Sequence, residues 1–254
     1  MPLTGPAVVP AATVVIFRHA AAGGPPEVLM VQRAREMRFA GGAAVFPGGR
    51  VDPADYELAR RLIPGEAEEI AAARIAAIRE TLEETGLMIA ARRPIGAQEA
   101  AAARALLLQD GRLSAVLDRF GWELDPGALT FFAHWCPLWE KAFDTRFFVT
   151  DLGTGAVDIA VDATENTRLF WTSAADALAM ADRGEISVIF PTLRNLERLA
   201  QYADHAQALA DIAAHPVSRI HPGLEQRDDG DWLVIAAGHG YPVLGQPKAT
   251  ASRG

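Results

Sequence analysis

The stretch Arg79-Glu80-Thr81-Leu82-Glu83-Glu84-Thr85-Gly86-Leu87 limits what this chain can fold into more than any other. Helical periodicity makes Glu80, Glu83 and Glu84 neighbours on one face and puts Ile75, Ile78 and Leu82 almost opposite. A helix of this kind docks an apolar stripe on a core while it gathers three carboxylates. Gly86 supplies the left-handed stop, and Leu87-Met88-Ile89 is expected to turn into a buried strand. Like charges at this spacing cost a helix about 0.2–0.5 kcal/mol per pair. A divalent cation reverses that sign, and oxygen-only ligands on a fixed face suit Mg²⁺ or Mn²⁺. Taken alone, the same residues also read as a solvated acidic face with Arg79 as internal counter-charge.

Upstream lies Phe46-Pro47-Gly48-Gly49-Arg50-Val51, and with it the pattern resembles the signature of the Nudix hydrolases: a glycine, a spacer, then R-E-U-x-E-E-x-G-U. Arg79, Glu80, Glu83, Glu84, Gly86 and Leu87 match it. Thr81 stands where the family prefers an aliphatic residue. Gly49 and Arg79 lie thirty positions apart where the family has fourteen, and the glutamate expected eight positions before the arginine is Ala71, with Glu68 or Glu69 as substitutes. The resemblance implies an α+β fold, a Nudix-type α/β/α sandwich with a mixed sheet, here carrying helical insertions and a C-terminal extension. It also implies Glu80, Glu83, Glu84 and the carbonyl of Gly49 as metal ligands, with Arg79 orienting the glutamates.

A second pattern bears on substrate. Arg33-Ala34, Arg38, Gly42 and Phe46-Pro47-Gly48-Gly49 keep the spacing of the coenzyme A diphosphatase signature within that family, with Met30 and Val31 in place of its leucine and threonine. It implies substrate contacts at Arg33, Arg38, Gly42, Phe46 and Gly48. Guanidinium geometry suits phosphate oxygens, although either arginine taken singly also reads as a surface salt bridge. His134-Trp135-Cys136-Pro137 and Phe143-Asp144-Thr145-Arg146-Phe147-Phe148 resemble a coenzyme A diphosphatase branch that carries an insertion inside the signature. Arg146 alternates with the phenylalanines, leaving a ligand contact and a salt bridge to Asp144 equally open. His134 reads as structural. Glu165, in the polar loop 162–167, matches a further metal-binding or proton-accepting glutamate, or else is an ordinary loop carboxylate.

The remaining chain supplies the frame. Thr13 to Phe17 and Glu27 to Gln32 read as a hairpin around Gly23-Gly24-Pro25-Pro26. Asp52-Pro53-Ala54-Asp55 opens a short inserted helix in which nothing is obviously chemical. Two helices are expected over Ala97–Leu108 and Leu113–Phe120, strands over Leu129–Trp135, Phe143–Thr150 and Arg168–Trp171, and a helix capped by Ser173. Pro191 to about Ala213 reads as one long helix, Asp228-Asp229-Gly230-Asp231 as a hairpin turn flanked by Pro216 to Ile220 and Trp232 to Ala236, and the residues from Gln246 as a frayed tail. The expected organisation is a Nudix domain over 1–200, with insertions at about 53–68 and 95–125, and an extension over 201–254 packed on it.

At 254 residues and 50% hydrophobic the chain can bury a substantial core, while a net charge of −8 argues against a general nucleic-acid or membrane-surface partner. The single cysteine, Cys136, excludes an intrachain disulfide framework and suits a reducing cytoplasm. Pro2, Pro6 and Pro10 and the lack of a positive n-region speak against a signal peptide. The expected partner is therefore a small-molecule diphosphate, met by Mg²⁺ or Mn²⁺ and local arginines; the resemblance also admits a homodimer. Hydrolysis of coenzyme A or acyl-CoA to 3′,5′-ADP and (acyl-)4′-phosphopantetheine is the leading expectation. The nearest alternative is cleavage of ADP-ribose, nucleotide sugars or dinucleoside polyphosphates, and a non-catalytic ligand-sensing module is the alternative from another class.

Overall fold

The computed structural model describes residues 8–19, 23–37, 40–138, 142–154 and 166–251. β1 (Val9–His19) and β2 (Glu27–Arg33) form the expected hairpin but pair only near its turn, at Phe17 with Val28 and Arg18 with Glu27. Beyond that they splay. The short strands β3 (Ala44–Val45) and β4 (Gly48–Arg50) fill the opening, β3 on β2 and β4 on β1 at Ala11 to Thr13. Phe46-Pro47 is thus the point at which the chain crosses from one splayed strand to the other.

The main sheet runs β3-β2-β1-β6-β5-β8, with β7 on the far side of β2. β6 (Phe143–Thr154) is parallel to β1, and β5 (Thr130–Trp135) is antiparallel to β6. β7 (Asn166–Ser173) is antiparallel to β2, and β8 (Arg219–Ile220) is parallel to β5, so the sheet is mixed. Strand alternation splits the core in two. Ala12, Val14, Ile16, Leu29 and Phe148 face one side, under α1 (Pro53–Leu62), α2 (Glu68–Thr85), α3 (Ala97–Asp110) and α4 (Leu113–Phe120). Val15, Phe17, Val28, Met30, Phe147 and Val149 face the other, under α5 (Ala174–Asp182), α6 (Phe190–Leu199) and α7 (His205–Ala214). This is the α/β/α arrangement with helical additions that was expected.

Four expectations are corrected. Leu87, Met88 and Ile89 are buried but belong to no strand; three apolar residues can be covered without a ladder partner. The helix expected from Pro191 to Ala213 is broken into α6 and α7. Asp204 caps α7 by accepting from Gln207 N at 2.8 Å, and Arg198 of α6 folds back on Asp211 of α7 with Nη2 to Oδ2 at 2.6 Å. In one straight helix those two residues would stand about 20 Å apart along the axis. The hairpin around Asp228-Asp229 joins β9 (Gly223–Arg227) to β10 (Gly230–Val234), closer to the turn than expected. The expected tail is ordered: β11 (Gly245–Pro247) pairs with β10, and Lys248 Nζ meets Asp231 at 3.1 Å. Among the described residues no helix is long and apolar enough to cross a membrane.

Candidate active site

The helix α2 lies over the strand wedge with Ile75, Ile78 and Leu82 fully buried, as its periodicity requires. Its acidic face is covered as well. Glu84 is only 4% exposed and Arg79 3%, so these residues are not a solvated surface. Thr81, the departure from an aliphatic position, is tolerated in the core because its hydroxyl donates back to the Ala77 carbonyl at 2.7 Å. Gly86 ends the helix at φ 70°, and Arg104 of α3 reaches the last turn, its Nε donating to the Glu83 carbonyl at 2.8 Å.

Glu84 points into a small polar cradle. The Gly48 N–H donates to its Oε2 at 3.0 Å, Arg33 Nη1 lies 3.7 Å from Oε1, and Asn166 Nδ2 lies 3.5 Å from the same oxygen. Arg33 and Asn166 are register partners at the ends of β2 and β7, which is why both reach one carboxylate. Gly48 has to be glycine because a Cβ there would run into the Ala12 carbonyl and Thr13. At Gly49 a Cβ would overlap the Glu80 carboxylate, so only backbone fits between β4 and α2. Burial, with the neighbouring Glu80 charge, pushes Glu84 up to about 8 against the Gly48 and Arg33 contacts. Burial also pushes Glu80 up to about 7 despite Arg79, and raises Glu83.

Arg79 is the hub on the other side. Its Nη1 donates to Glu80 Oε1 at 2.8 Å and Glu83 Oε2 at 3.4 Å, and its Nη2 donates to the Arg50 carbonyl at 2.8 Å. The opposite edge of the guanidinium meets both oxygens of Asp55, 1% exposed, at 3.0 and 2.9 Å. Burial works against the arginine's charge, yet Asp55, Glu80 and Glu83 hold its pKa above the ordinary value. Asp55 and Asn166 were not among the sequence candidates. Asp55 belongs to a capping box with Asp52, a local signal for a helix start that says nothing about Arg79. Asn166 carried no signal beyond its place before a strand.

The other expected site residues are distributed less evenly. Gly42, at φ 77°, closes the turn after β2 by donating to the Arg33 carbonyl at 3.2 Å. Phe46 is 2% exposed and its side chain packs in the core on the opposite face of the sheet, where it fixes the wedge. Arg146 shares a row with Gly49, separated from it by Ala12 of β1, and its Nη1 donates to Asp144 at 3.2 Å. The salt-bridged reading is thus the one the geometry shows. Of the two glutamates expected to substitute at the start of the helix, Glu68 pairs with Arg60 at 2.6 Å on the surface and Glu69 is exposed. Arg38 and Glu165 lie outside the described residues.

Whether these groups suit a divalent cation can be judged from their chemistry. Among the described residues no three His, Cys, Asp or Glu side chains are arranged to hold a metal by themselves. Mg²⁺ does not require that, since it takes one or two carboxylates and keeps water and phosphate for the rest. Asp52, Asp55, Glu80, Glu83 and Glu84 face only Arg79 and Arg33, five carboxyl groups against two guanidiniums, and burial raises Glu80, Glu83 and Glu84, so a cation here would favour their charged forms. Asn166 Oδ1 is buried without a hydrogen-bond partner beside them. Hard oxygen donors with a charge deficit fit a hard divalent cation.

No protein-family model and no curated protein matches the chain. Among solved structures it is similar to a Nudix hydrolase from Alicyclobacillus acidocaldarius, at 32% identity over 81% of this chain and 96% of that one, with a TM-score of 0.68. An Ap4A hydrolase from C. elegans (19% identity, 81% of this chain and 96% of that one) and the Nudix domain of Shewanella oneidensis NrtR complexed with ADP-ribose (15%, 78% and 89%) give TM-scores of 0.37. The first similarity spans nearly all of its relative, and the wedge of short strands under an acidic helix is present in full: the chain belongs to the Nudix hydrolase family, enzymes that cleave diphosphate linkages.

Proposed function

We propose that this hydrolase uses Mg²⁺ or Mn²⁺ to cleave the diphosphate of coenzyme A or acyl-CoA, releasing 3′,5′-ADP and (acyl-)4′-phosphopantetheine. The observation that carries the metal-dependent part is the set of three glutamates, Glu84 buried and Glu80 and Glu83 partly so, that outnumber their arginine partners against the Gly48-Gly49 backbone. Glu83 and Glu84 are the leading metal ligands, with Glu80 a third ligand or the base that takes the proton from water, and the Gly49 carbonyl a further oxygen. A bound cation supplies charge neutralisation of the phosphates and activation of water. Arg79 holds Glu80 and Glu83 in place, and Arg33, with Arg38, meets substrate phosphate. The coenzyme A assignment rests on the Arg33, Arg38, Gly42 and F-P-G-G spacing, supported by Arg33 ending β2 beside Glu84. In the same reading residues 1–200 form the catalytic domain, 201–254 brace it, and the enzyme works in the cytoplasm on a small molecule, with no nucleic acid or membrane as partner.

A panel of coenzyme A, acyl-CoA, ADP-ribose, a nucleotide sugar and a dinucleoside polyphosphate, run with Mg²⁺ and with Mn²⁺ and with products identified, tests substrate and cofactor together. Coenzyme A is expected to give the highest kcat/KM, and a preference for ADP-ribose overturns that choice. Glu83→Gln with Glu84→Gln is expected to abolish turnover in a folded protein. Undiminished activity rules out the site.

A further inference from the structure

The inserted helix α1 was expected to be chemically silent, but it carries the one buried aspartate that meets Arg79. We infer that Asp55 is a positioning residue: it holds the Arg79 guanidinium in the plane from which that arginine sets Glu80 and Glu83, so the insertion completes the catalytic helix. This rests on the metal-dependent hydrolysis proposed above and adds a residue to it.

Three observations converge. First, the start of α2 and the residues just before it offer Arg79 no carboxylate: position 71 is a buried alanine, Glu66 pairs with Arg74 with Oε1 to Nε at 3.0 Å, Glu68 pairs with Arg60, and Glu69 is exposed. Second, Asp55 engages Arg79 through both oxygens, at 3.0 and 2.9 Å, and a two-point contact fixes the orientation of a guanidinium plane where a single one leaves it free to rotate. Third, Asp55 is itself fixed, because its Oδ2 accepts from the Asp52 N–H at 2.8 Å at the start of α1. The opposite edge of the same guanidinium then lies against Glu80 and Glu83, and its Nη2 reaches the Arg50 carbonyl next to Gly49. A displacement at Asp55 therefore reaches both the acidic face and the glycine strand through one rigid group. Partners that orient metal-binding groups from behind are worth about 10–100-fold in metal affinity or activity.

The test is Asp55→Asn in the full chain, with Mn²⁺ affinity measured by calorimetry without substrate and steady-state kinetics measured on the substrate the panel selects. Positioning requires Mn²⁺ binding and kcat each to fall about 10–100-fold with KM within about 2-fold, while the circular dichroism spectrum is retained. Glu68→Gln, on the surface of the same segment, is expected to leave all of these unchanged. A folded Asp55→Asn protein with wild-type Mn²⁺ affinity and kcat overturns the assignment and leaves the proposed function standing. A wild type that neither binds Mn²⁺ nor cleaves any diphosphate overturns both. If Asp55→Asn does not fold, Asp55→Glu decides: the charge is kept but the guanidinium is pushed out of place, so a several-fold loss of kcat at unchanged KM supports the role and wild-type kinetics refute it.

Discussion

At Gly49 a single missing methyl group lets the Glu80 carboxylate sit against the backbone. A Cβ there would overlap that carboxylate, which would have to shift from its place beside Arg79. Gly49→Ala is therefore expected to lower kcat about 100-fold, the effect of a misplacement of about 1 Å, and kinetics on the folded variant measures it. Asp144 makes a different point about charge. Burial alone would raise its pKa, but His134 at 2.6 Å and Arg146 at 3.2 Å outweigh that and hold it down to about 2. A carboxylate whose folded pKa lies below its unfolded value of about 3.9 stabilises the fold above that pH and loses the contribution as pH falls through about 2. Asp144→Asn should cost about 2 kcal/mol at pH 7, and denaturation curves of variant and wild type should converge as pH drops from 4 to 2.

Among the elements, the helices show where local signals suffice and where they fail. The Gly86 stop of α2 and the Ser173 cap of α5 could be read in the sequence, because left-handed glycines and side-chain caps act within a few residues. The break between α6 and α7 could not. The alanine-rich run favours helix throughout, and the break is set by Arg198, Tyr202 and Asp211 meeting in three dimensions. Asp204, whose carboxylate caps α7, is the local device that keeps the second helix in register. Asp204→Ala is expected to destabilise the protein by about 1 kcal/mol in chemical denaturation, without affecting the substrate panel.

Over the whole molecule, the C-terminal segment is tied into the core beneath the sheet. Trp135 Nε1 donates to the Tyr241 hydroxyl at 2.9 Å, which donates to Asn195 Oδ1 at 2.7 Å, and all three side chains are buried. Burial pushes the Tyr241 hydroxyl up to about 12, so it remains a donor at any working pH. Tyr241→Phe strands two buried polar groups and should cost about 1–3 kcal/mol, read as a lower Tm with kcat retained. The sequence by itself determined the acidic helix, its glycine stop and the turn of the first hairpin, because periodicity, caps and turns act over short separations. Only the tertiary structure decided that Glu84 would be buried against Arg33 and Asn166, that Phe46 would serve the core, and that Arg79 would be met by Asp55. That last pair joins residues 24 positions apart through the docking of one helix on another, and no local pattern encodes where a docked carboxylate will point.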